Sequence, residues 1–135
     1  MPKLFGTNGI RGPADTLFTK QFCVKLGAVF GSWLKSKDKE GYVAIAMDPR
    51  ESSPFIKRHI IQGLASHGWE ILDEGVIPTP ALTYFVKQSP AVGGGVMITG
   101  SHIAESLNGV KLFIDGEEVT KAHELEIEQL FNAAS

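Results

Sequence analysis

The spacing of apolar positions changes along the chain, and each change marks an element. After Thr19, the residues Phe22, Leu26, Val29, Phe30, Trp33 and Leu34 recur at spacings of three, four and seven. That is the period of an amphipathic helix, with the Thr19 hydroxyl as its cap. The polar run Lys35–Glu40 closes it, and Gly41 follows. Tyr42–Met47 is a continuous apolar run bounded by glycine and Asp48-Pro49, which predicts a strand buried on both faces. Ser53-Pro54 predicts a helix start, a capping hydroxyl followed by proline at the first helical position. Ile56, Ile60 and Leu64 form that helix's stripe, and Gly68 suits its end. Trp69–Leu72 is the next strand. Thr79-Pro80 repeats the cap-plus-proline pattern ahead of a short helix through about Lys87. Gly93–Gly95 is expected as a flexible start to a buried strand at Gly95–Thr99. Val110–Ile114, the turn Asp115-Gly116 and Glu117–Val119 predict two paired strands. Thr120 caps a last helix holding Leu125, Ile127, Leu130 and Phe131, and Gly6–Pro13 is expected as a glycine-rich opening loop.

Helices alternating with short buried strands imply an α/β layered domain whose mixed, largely parallel sheet is flanked by helices. Its 135 residues suit a single domain, residues 1–135. In such sheets the loops beyond the carboxyl ends of strands carry function. This directs attention to Asp48–Ser53, Asp73–Thr79 and Thr99–Gly109.

Composition narrows the classes. Hydrophobic residues make up 43% and charged residues 21%, with a formal net charge of -2, an ordinary globular balance. A weak, mixed charge argues against a nucleic-acid surface and against an anionic-membrane binder. Cys23 is the single cysteine, so no internal disulfide can form, and beside an apolar helix face it is expected as a packed thiol. Met1–Gly6 lacks a signal-peptide core, and no apolar run approaches the roughly 20 residues of a membrane span. The expected location is the cytoplasm.

Candidate chemistry is sparse. Neither GxxxxGK[ST] nor a GxGxxG after a strand is present, which sets aside a P-loop and a dinucleotide fingerprint. There is no HExxH, and His59, His67 and His123 draw no functional assignment. Thr99-Gly100-Ser101-His102 stands out because it follows a buried strand. A GxSxG elbow is excluded, since Ile103 stands where glycine should be. By itself Ser101 is either a nucleophile or a loop serine bonding local backbone. Taken alone, Arg11 would be an ion-pair residue and Lys111 a solvent-facing strand lysine. Arg50 and Ser53 read as structural, with Ser53 capping its helix. Asp48 ends a strand, as the phospho-accepting aspartate of a receiver domain does, but the paired acidic residues of receivers are not visible.

Four segments in order change the weighting. Ile98-Thr99-Gly100-Ser101-His102-Ile103-Ala104-Glu105-Ser106-Leu107-Asn108-Gly109-Val110-Lys111 resembles the ITASHNPxxxNGIK signature of the α-D-phosphohexomutases, the phosphoglucomutase/phosphomannomutase superfamily. Phe5-Gly6-Thr7-Asn8-Gly9-Ile10-Arg11-Gly12 is similar to that family's FGTDGIRG opening. Asp48-Pro49-Arg50-Glu51-Ser52-Ser53-Pro54 is similar to its DxRxSSP segment, and Gly75–Leu82 to its GxxxTPxL segment. The resemblance covers residues 5 to 113 and corresponds to the first of the family's four domains.

The resemblance implies a specific chemistry. Ser101 would carry a phosphoryl group, give it to a hexose phosphate to form a bisphosphorylated sugar, and receive the other phosphate back, moving phosphate between C1 and C6. Arg11 would bind phosphate oxygens through its planar fork. Lys111 would serve as general acid/base or charge clamp. His102 would bond the phosphate or shape the loop, and Asn108-Gly109 would turn the chain so that Lys111 faces Ser101. Mg²⁺ would be held by the phosphoserine of Ser101 and by carboxylates of a second domain, whose DGDGDR loop this chain lacks, and a hexose 1,6-bisphosphate would be the activator. The partners implied are a hexose phosphate and the remaining domains of a longer enzyme, with this chain as an excised piece that is inactive alone. The alternatives are a non-catalytic α/β module binding a phosphorylated ligand and a regulatory domain with a capping serine. The chain departs from the family text at Asn8 for aspartate, Gly100 for alanine and Ile103-Ala104 for Asn-Pro. The preferred sugar is not encoded in these segments.

Overall fold

A computed structural model of the chain describes residues 3–101 and 103–134. In chain order its elements are β1 Ile10–Pro13, α1 Lys20–Ser36, β2 Tyr42–Met47, α2 Ser53–Ala65, β3 Glu70–Val76, α3 Thr79–Gln88, β4 Val92–Ile98, β5 Leu107–Ile114, β6 Glu117–Glu118 and α4 Lys121–Ala133. The strands form one 6-stranded sheet in the order β1-β5-β4-β2-β3, with β6 paired to β5. β2 runs parallel to β3 and to β4, while β5 runs antiparallel to β1, β4 and β6. Only β5 opposes the common strand direction, so the expected mixed, largely parallel sheet is what forms.

Side-chain alternation sorts the strands onto two faces. Val43, Ile45, Val96, Ile98, Val110 and Leu112 pack toward α1, α2 and α4. Ala44, Ala46, Met97 and Phe113 pack toward Leu82 and Val86 of α3. The larger layer is sealed by α1 against α2, where two glycines meet. A Cβ on Gly27 would lie 2.2 Å from the Ile60 carbonyl oxygen, and one on Gly63 would lie 2.1 Å from that of Val24. These backbones touch because neither residue has a side chain. α4 closes the layer with Ile127 as its buried anchor. Trp33 Nε1 donates to Glu126 (2.9 Å), and the Leu4 and Phe5 amides both donate to Glu128 (2.9 Å each).

Two helix caps form as expected. Thr19 accepts from the Phe22 amide at 3.2 Å. Thr120 accepts from His123 N, and His123 Nδ1 accepts from Thr120 N, a reciprocal capping box. The other two differ. Ser53 and Thr79 are the first residues of their helices, after Ser52 and Pro78, and neither helix has a side-chain cap. The Ser53 hydroxyl is diverted to a buried carboxylate.

Four further expectations are corrected. Residues 10–13 form β1 instead of an open loop, because β5 supplies the hydrogen-bond partners that a short Gly- and Pro-containing segment cannot supply itself. Gly93 to Gly95 lie within β4. A Cβ on Gly93 would meet the Trp69 ring at 2.9 Å and one on Gly94 would meet Leu34 at 2.7 Å, so their smallness admits two large side chains. Asp73 to Val76 continue β3, leaving only residues 77 and 78 between β3 and α3. Leu125 and Leu130 are exposed at 61% and 40%, so α4 buries a narrower stripe than its apolar residues suggested.

Cys23 is fully buried, and burial pushes its thiol up to about 12, which fits a packing role. No described helix is long and apolar enough to cross a membrane.

Candidate functional site

The carboxyl ends of the parallel strands β2 and β4 lie side by side, joined by the Asp48 amide donating to the Ile98 carbonyl at 2.8 Å. Two loops leave this edge. One carries Asp48, Arg50, Ser52 and Ser53 into α2, and the other carries Ser101 toward β5.

Asp48 gathers the first set of bonds. Its carboxylate accepts from the Ser53 hydroxyl (2.8 Å), the Gly100 amide (2.9 Å), the Arg50 amide (3.1 Å) and Arg50 Nε (3.2 Å). Burial pushes this carboxyl up. The Ser53 hydroxyl, the Gly100 and Arg50 amides and the Arg50 charge together outweigh burial and hold it below the ordinary aspartate range.

Arg50 gathers the second set. Nη1 donates to the carbonyls of Ala104 (2.7 Å) and Leu107 (3.2 Å), and Nη2 to those of Ile103 (2.7 Å) and Ser101 (3.3 Å). With Nε on Asp48, the whole donor fork is engaged. The buried Asn108 adds a third set: its Nδ2 donates to the hydroxyls of Ser52 (2.8 Å) and Ser53 (3.1 Å), and its Oδ1 accepts from Gly109 N (2.8 Å). Asn108-Gly109 was expected as a turn. It lies inside β5, paired with β1, and the Asn108 amide nitrogen is recruited across to the start of α2.

The sequence-selected residues are placed as follows. Ser101 is exposed and has a left-handed backbone, φ 55, with its amide donating to Thr99 Oγ1 at 3.0 Å. Arg11 sits on β1 opposite Gly109, and Ile10 sits opposite Val110. Since Ile10 and Val110 face the large core, Arg11 and Lys111 share the other face. Gly109 leaves room for the Arg11 stem, since a Cβ there would lie 3.1 Å from Arg11 Cγ. The Thr99 amide bonds the Gly109 carbonyl at 2.9 Å. Arg11, Gly109 and Thr99 thus form a row across three strands that ends two residues before Ser101. The Arg11 Nε is buried and has no hydrogen-bond partner among the described residues. Lys111 has no ion pair among the described residues either. His102 lies outside the described residues.

Two cations therefore share one sheet face, with no carboxylate ion-paired to either among the described residues. Among the described residues, no group of three or more His, Cys, Asp or Glu is placed to hold a metal ion. Sequence reasoning under-read Arg50 and Asp48. Their signals were their place in the segment similar to the family's DxRxSSP and their position in a loop just beyond a buried strand.

Residues 2–135 match phosphoglucomutase/phosphomannomutase, alpha/beta/alpha domain I. The chain is 40% identical to a phosphoglucomutase/phosphomannomutase of Thermococcus kodakarensis over 97% of its own length and 29% of that protein. It is 38% identical to a phosphoglucosamine mutase of Francisella tularensis subsp. novicida over 98% of its length and 30% of that protein. The crystal structure of a phosphoglucomutase/phosphomannomutase family protein from Burkholderia thailandensis superposes with a TM-score of 0.85 at 25% identity, covering 96% of this chain and 30% of that one. The chain thus spans under a third of the length of these relatives. With its mixed sheet, its paired loops at the β2–β4 edge and these matches across nearly every residue, the chain belongs to the phosphoglucomutase/phosphomannomutase family, as domain I.

Proposed function

We propose that this domain carries the phosphoryl group of a phosphohexomutase, on the Ser101 hydroxyl. The substrate class is a phosphorylated hexose or hexosamine, in keeping with relatives named phosphoglucomutase/phosphomannomutase and phosphoglucosamine mutase. The observation that carries this reading is the pair Arg11 and Lys111, two cations on one sheet face, with a buried Arg11 Nε that has no partner among the described residues at the end of the row that leads to Ser101.

Phosphoryl transfer requires positioning and charge neutralisation more than covalent participation by other side chains. A sugar hydroxyl oxygen forms a bond to phosphorus as the Ser101 Oγ–P bond breaks; the sugar hydroxyl proton leaves to a base, and Ser101 Oγ takes up a proton to become the free hydroxyl. Return from the second phosphate of the bisphosphorylated sugar regenerates the serine ester. Arg11 grips phosphate oxygens through its fork. Lys111 supplies a second cation or, as the neutral amine, the base. Phosphorylated Ser101 would give one oxygen donor to the Mg²⁺ implied by the family, which would supply further charge neutralisation, and no group of three or more His, Cys, Asp or Glu among the described residues is placed to hold it. The remaining length found in relatives would supply the sugar-reading contacts.

The test is phosphorylation. The intact gene product, incubated with a hexose 1,6-bisphosphate, is expected to gain a single phosphate at Ser101 by mass spectrometry, and Ser101→Ala is expected to gain none. Equal labelling of the two proteins sinks the assignment.

A further inference from the structure

We propose that Arg50 is the positioning residue of the serine loop: oriented by Asp48, its guanidinium fixes the backbone that presents Ser101. The proposal rests on the phosphoryl-carrier reading for what Ser101 does, but not for how its loop is held.

The loop supplies little order of its own. Among the described residues its internal bonds are Ser101 N to Thr99 Oγ1, Ile103 N to the Gly100 carbonyl and Leu107 N to the Ala104 carbonyl. The carbonyls of Ser101, Ile103, Ala104 and Leu107 converge instead on Arg50, which lies 51 to 57 residues earlier in the chain. Asp48 meanwhile holds the Gly100 amide. A single carboxylate–guanidinium pair therefore grips the loop by a donor and by several acceptors at once.

The left-handed Ser101 backbone, φ 55, is one that a non-glycine residue leaves unless its surroundings over-determine it. The Asp48 bond to Gly100 precedes that residue, and the Arg50 bonds hold its own carbonyl and those that follow. The Arg50 side chain is 9% exposed, whereas the nearby Glu105 carboxylate, 3.7 Å from Nη1, is 73% exposed. The clasp is therefore made of carbonyls and Asp48, not of a surface ion pair. Lysine has neither the planar fork nor enough donors to replace it.

Gly100 is the complement of this clasp. A Cβ there would lie 2.2 Å from Arg50 Nε and 2.4 Å from Cζ. Gly100 thus lies directly against the guanidinium, and Asp48→Asn, which removes the charge that orients Arg50 Nε and holds the Gly100 amide, offers a second way to open the clasp.

Arg50→Lys and Asp48→Asn are made in the intact gene product, each with two readouts. The first is amide exchange at Gly100, Ser101 and Leu107, followed by NMR. Both variants are expected to speed it by about tenfold or more while β2 and β4 keep their protection. The second is the rate of Ser101 labelling across hexose 1,6-bisphosphate concentrations. The maximal rate is expected to fall by about a hundredfold with little change in the half-saturating concentration, the signature of misplaced reacting atoms. Wild-type exchange in both variants overturns the clasp. Faster exchange with wild-type labelling overturns the positioning role. A wild-type protein that takes no phosphate sinks the phosphoryl reading alone, since exchange still decides the clasp. Should Arg50→Lys fail to fold, Asp48→Asn carries both readouts.

Discussion

The crossing of α1 on α2 and the serine-loop edge are both rigid, but for opposite reasons. At the crossing, Gly27 and Gly63 bring two backbones into contact, and the order comes from the absence of side chains and the exclusion of water. At the loop edge, order comes from directional bonds to one carboxylate, one guanidinium and one carboxamide. Close packing penalises any added volume, and the penalty falls on the whole fold. A polar clasp penalises a lost donor, and the penalty falls mostly on the segment it holds. The domain thus separates what keeps it folded from what shapes its site.

The largest expected effect tests the dry side of that contrast. Gly63→Ala should destabilise the domain by about 3 kcal/mol, the upper end for overpacking, because the new methyl would collide with backbone and not with a movable side chain. Denaturant unfolding measures it. A loss well under 1 kcal/mol would mean that the helices separate freely, and the contrast would fail.

Asn108→Ala tests the wet side. It strands the Gly109 amide and removes the donor to Ser52 and Ser53, at a cost of about 2 kcal/mol. The same unfolding experiment should show it second to Gly63→Ala, and amide exchange should place most of the change around β5 and the serine loop.

Arg11→Lys should leave unfolding nearly unchanged, since Arg11 makes no described ion pair. Ser101 labelling should slow by about tenfold, the size of one charge-assisted hydrogen bond of about 1.5 kcal/mol. A large stability loss with unchanged labelling would move Arg11 from the site to the scaffold.

Acid should separate the two regions most gently. The Asp48 carboxyl titrates below its ordinary range when folded. Its contribution is therefore present above the unfolded value and is lost as pH falls through the lower folded one. Below about pH 4 the Gly100 amide should lose protection before the α1–α2 layer melts, as NMR exchange would record. Asp48→Asn should remove that step. A smaller acid dependence should persist from Asp73. Burial pushes Asp73 up, but Lys57 and the Gly75 amide outweigh it and hold it low.

The helical and strand periods, the Thr19 and Thr120 caps and the Asp115-Gly116 hairpin turn were legible in the sequence because each is a local pattern whose partners lie within a few residues. The family signature was legible for a different reason, that its residue order survives in the text of the chain. The layered α/β class followed from the alternation of elements. Tertiary structure alone decided the rest. β1 exists because β5 is beside it, and the glycines of β4 are small because Trp69 and Leu34 lie over them. Ser53 gives up its cap because Asp48 and Asn108 reach it first. Arg50 read as structural, but what it holds was hidden, because its carbonyl partners lie more than fifty residues away and backbone carbonyls leave no trace in residue identity. A sequence records side chains in order. Bonds that join one side chain to distant backbone are fixed only when the strands between them have paired.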